Sequence, residues 1–134
     1  MTSTAGGAFG FSSGLIIQEF GYDDDVEPSL RRAVEAETGT ELVDEDYEDV
    51  ADSAIVWWRA EDGDVDDLTD LLVDAQANLD GAGIIWVLTP RARTAGAVPS
   101  AEVEEAAATA GMHATSTASL GEHWSGTRVS SRGR

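Results

Sequence analysis

The chain has no cysteine and no lysine. The first absence excludes a disulfide framework, a thiolate zinc site and a cysteine nucleophile, so any core must hold without staples. The second leaves arginine as the sole permanent cation, with eight basic residues set against 26 acids and a formal net charge of −18. Binding to a nucleic acid backbone or an anionic membrane requires clustered cations, and this balance argues against both. No apolar run approaches the roughly 20 residues of a membrane span. The first basic residue is Arg31, and MTSTAGGAFGFSSG lacks the charged start and apolar stretch of a secretory leader. The expectation is a soluble, cytoplasmic protein. Motifs are scarce as well: there is no GxGxxG loop and no GxSxG elbow, and the only histidines are His113 and His123.

What is present is acid, unevenly placed. Glu19 to Asp80 holds most of the carboxylates against Arg31, Arg32 and Arg59, whereas the remainder holds only Glu102, Glu104, Glu105 and Glu122 against five arginines. A solvated acidic surface is the plainest account of this, and a basic protein partner, a cation or mimicry of nucleic acid are the functional ones. At 134 residues the chain fits one domain, large enough to bury roughly two thirds of its unfolded surface. Residues 1–13, small and polar, suggest a flexible tail whose end Phe9 and Phe11 pin; residues 14–130 form the single domain, and 131–134 a second tail.

Between the tails, strand and helix signals alternate. LIIQEF, Leu15 to Phe20, is a short strand ending at Gly21; Pro28 opens a helix that Gly39 stops; Leu42 and Val43 mark a second short strand. DSAIVWWRA gives the clearest strand, centred on Ala54 to Trp58, and its adjacent Trp57 and Trp58 point to opposite faces, so both are buried only if helices cover both sides. In the following VDDLTDLLVDAQANL, Val65, Leu68, Leu71, Leu72, Ala75 and Leu79 make one buried stripe, with Asp64 as N-cap and Asp67, Asp70 and Asp74 facing away. Ile84 to Leu88 reads as a central strand, Ser100 as the cap of a helix over Ala101 to Ala110, and MHATSTASL and HWSGTRVSS as a hairpin joined near Gly121. The order predicts an α/β, Rossmann-like three-layer sandwich with a mostly parallel sheet and a C-terminal antiparallel hairpin.

The segments GLIIQEFGYDDDVEPSLRRAVE, ELVDEDYEDVADSAIVWWRAEDGDVDDLTDLLVDA, GIIWVLTPRARTAGAVPSAEVEEAAATAGM and HWSGTRV together resemble the actinobacterial domain of unknown function 3052 family. The resemblance spans nearly all of residues 10–130 and implies no activity. Where the family is expected to carry a lysine after Thr-Pro, this chain has Arg91, which keeps the charge and loses any lysine-specific role. The element order, with Leu79, Gly81 and Gly83 before the central strand, also looks like a reduced methyltransferase-type Rossmann domain.

In such an architecture ligands bind beyond the C-terminal ends of the strands, where strand order reverses. That address holds GYDDD, so Gly21, Asp23, Asp25 and Asp44 are the candidate ligand or cation site, with Arg91 and Trp124 as further candidates. The loop has one glycine where a dinucleotide or S-adenosylmethionine needs several for close backbone approach. No cofactor and no catalytic residue is assigned. DGDVDD, Asp62 to Asp67, opens like a calcium loop but has Asp67 at the glycine position and Val73 at the bidentate glutamate position. The reading is a non-catalytic regulatory or adaptor module whose acidic surface, with Asp24, Asp46, Asp49, Asp67, Asp70 and Asp74, meets a basic protein. Its alternative is a small-molecule or divalent-cation site at the strand ends with residual S-adenosylmethionine-dependent chemistry.

Overall fold

The computed structural model describes residues 9–131, apart from the side chains of residues 80–82. The proposed tails fall partly outside this range, at residues 1–8 and 132–134. Five strands and three α-helices follow in the order β1 (Ile17–Phe20), α1 (Pro28–Thr38), β2 (Ala51–Trp57), α2 (Val65–Gln76), β3 (Leu79–Pro90), α3 (Ser100–Thr109), β4 (Met112–Leu120) and β5 (Trp124–Ser131). They build one sheet of order β1-β2-β3-β5-β4.

Parallel pairing joins β1 to β2 and β2 to β3, but β5 runs antiparallel to both of its neighbours, β3 and β4. The sheet is therefore mixed, which corrects the expectation of a mostly parallel one. The hairpin forms the far edge in reversed order: after α3 the chain lays β4 at the outermost position, two places from β3, and β5 returns into the gap between them. The strand expected at Leu42 and Val43 reduces to a single parallel bridge between Gln18 and Val43. Directly after it the backbone turns, with Tyr47 N donating to Asp44 O and Asp46 N to the Asp44 carboxylate, so no ladder extends.

Alternation along β2 sends Ile55 and Trp57 to one face and Ala54, Val56 and Trp58 to the other, and both faces are covered. On the first, Leu30, Ala33 and Val34 of α1 pack with Phe9, Trp86 and Trp124. On the second, Leu68, Leu72 and Ala75 of α2 and Val103, Ala106 and Ala107 of α3 close over Ile85, Val87 and Val129. This is the three-layer arrangement that the paired tryptophans require. The leading segment belongs to the α1 layer: Phe9 is buried, its carbonyl accepts from Trp86 Nε1 at 2.9 Å, and the Glu37 carboxylate accepts from Phe9 N and Phe11 N.

Helix ends follow local chemistry. α2 has a reciprocal cap in which Asp64 accepts from Asp67 N at 3.1 Å and Asp67 accepts from Asp64 N at 3.0 Å. α1 begins with Pro28 and ends on Gly39 in the left-handed region, φ 75°. α3 differs from expectation, because Pro99 occupies the N-cap position, Ser100 is already helical, and no side chain caps the end.

Candidate functional site

The C-terminal ends of β1, β2 and β3 lie together, and the loop of residues 21–27 crosses them. Gly21 starts that loop at φ 79°, and a Cβ there would collide with the Trp57 carbonyl oxygen. Glycine is required at this point because β1 leaves the sheet in close contact with the end of β2. Asp23 then makes a turn, accepting from Asp24 N through its carboxylate and from Val26 N through its carbonyl.

Arg59, two residues past the end of β2, holds this loop down. Its Nε and second terminal nitrogen donate to the two carboxylate oxygens of Asp25, and its other terminal nitrogen donates to Gly21 O at 2.8 Å, Trp57 O at 3.3 Å and Asp62 Oδ2 at 3.3 Å. The guanidinium also lies 5.5 Å from the centre of the Trp124 ring, and Trp124 packs edge-on against Trp57. The Arg59 side chain is 6% exposed and that of Asp25 is 51% exposed, so a buried cation is neutralised by a half-exposed anion. The hydrogen bond from Arg59, opposed by partial burial and helped by its charge, holds the Asp25 carboxyl below the usual carboxylate range. Burial pulls Arg59 down, but its bonds and charge interactions with Asp25 and Asp62 outweigh that and raise it.

The far end of the loop is fastened too. Glu27 precedes Pro28, yet its carboxylate does not cap α1; it accepts from Glu122 N and His123 N in the β4–β5 turn and from Ser29 Oγ. Residues 21–27 thus form a strap across the strand ends, anchored at Gly21, Asp25 and Glu27.

Beside the strap, on the α1 side, Glu19 is buried in the middle of β1. It accepts from Arg31 Nε at 2.8 Å, from a terminal nitrogen of Arg31 at 2.9 Å and from Trp57 Nε1 at 2.9 Å. The Glu19 hydrogen bond, against some desolvation, raises Arg31. Arg31 in turn lies 4.9 Å from the ring centre of Tyr22, which is 58% exposed. Together with Asp44, Glu45 and Asp46 these three residues line an open cleft of about 450 Å³.

The structure separates the sequence candidates. Gly21 and Asp25 belong to the strap; Asp23 and Asp44 are exposed, each occupied with a local turn. Glu45 spans the two loops by accepting from Gly21 N at 2.7 Å. Among the described residues no group of three or more histidines or carboxylates is placed to hold a metal ion. Asp24, Asp46, Asp49, Asp67, Asp70 and Asp74 are all exposed, the last three along α2. Trp124 is buried within the strap's floor, and Arg91 donates to Gly121 O at 2.7 Å, with its Nε buried and without a partner among the described residues.

Sequence reasoning missed Arg59, Glu19 and Glu27. Arg59 had one signal: it is one of three cations in the acidic half and stands at the end of the clearest strand. Glu19 had another, as a carboxylate inside an apolar strand. Nothing local marks Glu27, whose partners are about 95 residues away.

An open sheet with β1 at one edge, helices on both faces and β5 running antiparallel between β3 and β4 is a Rossmann-like α/β fold. The solved magnesium protoporphyrin IX methyltransferase of Synechocystis PCC 6803 with bound SAM is similar at TM-score 0.56 and 10% identity, over 92% of this chain and 73% of that one. The pyocyanin biosynthetic protein PhzM is similar at TM-score 0.60 and 12% identity, over 89% of this chain and 51% of PhzM. At such identities the likeness is one of fold. The chain itself belongs to the DUF3052 family, described as a protein of unknown function, which it matches over residues 6–133. It is 44% identical over 120 residues to the uncharacterized protein Rv2239c of Mycobacterium tuberculosis H37Rv, covering 90% of this chain and 73% of that protein.

Proposed function

We propose that the chain uses a methyltransferase-like scaffold as a binding module and not for turnover, meeting a basic protein partner through its acidic surface. The observation that carries this reading is the Arg59–Asp25 pair. Ligands of open α/β sheets sit beyond the strand ends at the reversal of strand order. Here the C-terminal ends of the first three strands are crossed by a strap of the chain's own residues, with a buried guanidinium beneath it. The strap also lacks the run of glycines that lets backbone approach a nucleotide. The exposed carboxylates of Asp24, Asp46, Asp49, Asp70 and Asp74 remain for a cationic surface, where they would chiefly set association rate and salt sensitivity.

Thermal shift with S-adenosylmethionine and S-adenosylhomocysteine tests the first half, since a ligand at a hundred times its dissociation constant adds about 2.7 kcal/mol. No shift is expected from either, and a saturable shift overturns the non-catalytic reading. Capture of a basic protein that falls as salt rises is expected for the second half; capture indifferent to salt overturns it. A second reading, a small molecule or divalent cation at the strand ends with residual S-adenosylmethionine-dependent chemistry, is favoured by the open cleft around Glu19, Tyr22 and Asp44. The same thermal series with magnesium and calcium separates the two.

A further inference from the structure

On the opposite face of the sheet from the Glu19 cleft, a cavity of about 300 Å³ opens between the start of α3 and the strand ends. Its sheet wall is a patch of hydroxyls. Thr89 lies opposite Ser125 across β3 and β5, and Thr127 lies opposite Thr117 across β5 and β4, all four lining the cavity. Thr89 and Thr127 are each 6% exposed, and neither hydroxyl has a hydrogen-bond partner among the described residues. Both residues line the cavity, so a polar group inside it would meet hydroxyls that no other described residue engages.

The opposite wall is the first turn of α3, through Val98, Pro99, Ser100 and Val103. No side chain caps this helix; Glu102 N turns back to Pro99 O, while Ser100 N and Ala101 N find no acceptor among the described residues. No charged residue lines the cavity.

We propose that this cavity binds a small oxyanion, a carboxylate or phosphate group, held by the free N–H groups at the start of α3 and by the hydroxyls of Thr89 and Thr127. The ingredients are complementary: a helix start supplies positive potential and directed donors, and neutral hydroxyls donate without bringing a counter-charge. This site is independent of the strap and of the acidic surface.

Titration of the ¹⁵N-labelled full chain with inorganic phosphate and with acetate, against sodium chloride at matched ionic strength, tests it. Saturable amide shifts at Ser100, Ala101 and Thr127 are expected from phosphate, acetate or both, and which of them saturates assigns the group. Thr89→Val and Thr127→Val keep the side-chain shape and should weaken binding about tenfold or more. Shifts that chloride reproduces, a lack of saturation with both probes, or valine variants that bind as well as the parent would overturn the proposal. Folding of the variants is read from the same spectra, and Ser125→Ala, at a less buried position of the same wall, gives a second measure should either threonine variant lose its fold.

Discussion

Arg59 and Asp25, 34 residues apart, form a two-pronged ion pair in which the cation is buried and the anion is half exposed. The asymmetry decides what each substitution does. Asp25→Asn leaves a buried guanidinium with weaker acceptors, whereas Arg59→Met frees a carboxylate that water can solvate while an apolar side chain fills the space. Asp25→Asn is expected to cost about 2 kcal/mol, and Arg59→Met less than that, measured by urea unfolding. The reverse order would show that the anion, not the cation, needs the pair.

The same pair predicts a response to acid. The Asp25 carboxyl is held below its ordinary value, so its contribution is fully present above the unfolded value near pH 4 and is lost as pH falls through the lower folded value. Unfolding free energy followed downwards from pH 6 should therefore drop less steeply for Asp25→Asn than for the parent below about pH 4, the ordinary carboxylate value. Parallel curves throughout would remove the pair as a source of acid lability.

Gly21→Ala places a methyl against the Trp57 carbonyl at a backbone φ of 79°. Strain and collision together should cost about 2–4 kcal/mol and lower the melting temperature markedly. Gly39→Ala, at a similar φ of 75° but with open space around it, should cost about 1 kcal/mol. The difference between the two variants measures how tightly β1 is pressed on β2.

Glu19→Ala removes the shared acceptor of Arg31 and Trp57 from a buried position. A loss of about 2–4 kcal/mol is expected, with a change in tryptophan emission because the Trp57 indole N–H is left without its partner. Unchanged emission would mean that Trp57 finds another acceptor.

Much of this was legible from the residues. The stripe of α2 from Val65 to Ala75, its Asp64 cap, the Pro28 and Gly39 limits of α1 and the opposite burial of Trp57 and Trp58 all follow from local periodicity and end chemistry, which a sequence displays directly, whereas Leu79, expected in the same stripe, opens β3 because α2 stops at Gln76. The insertion of β5 was not legible, because a hairpin reads the same locally whether it flanks a sheet or enters it. Val43 misled for the opposite reason: its β-branched neighbourhood signals a strand, but the Asp44 turn ends the pairing after one bridge. The site was half visible. Position along the chain put GYDDD at the strand ends, while its occupants depend on partners such as Arg59 and the β4–β5 turn that lie far away in sequence.

Net charge gives a further expectation. With 26 acids and eight bases, the folded surface repels itself. Raising sodium chloride from about 0.01 M to 1 M shortens the screening length from about 30 Å to 3 Å and should raise the melting temperature. A fall would mean that the Arg59 and Arg31 pairs outweigh the surface repulsion.

The placement of β5 also orders events during synthesis. β1, β2 and β3 leave the ribosome in the sequence in which they pair, so each finds its neighbour waiting. β4 emerges before the only strand it touches in the sheet, and is tied to β3 only through β5. Both ladders of β5 therefore wait for residues 124–131, and in a chain halted short of Trp124 the flank of β3 that β5 covers has no partner among the strands already made.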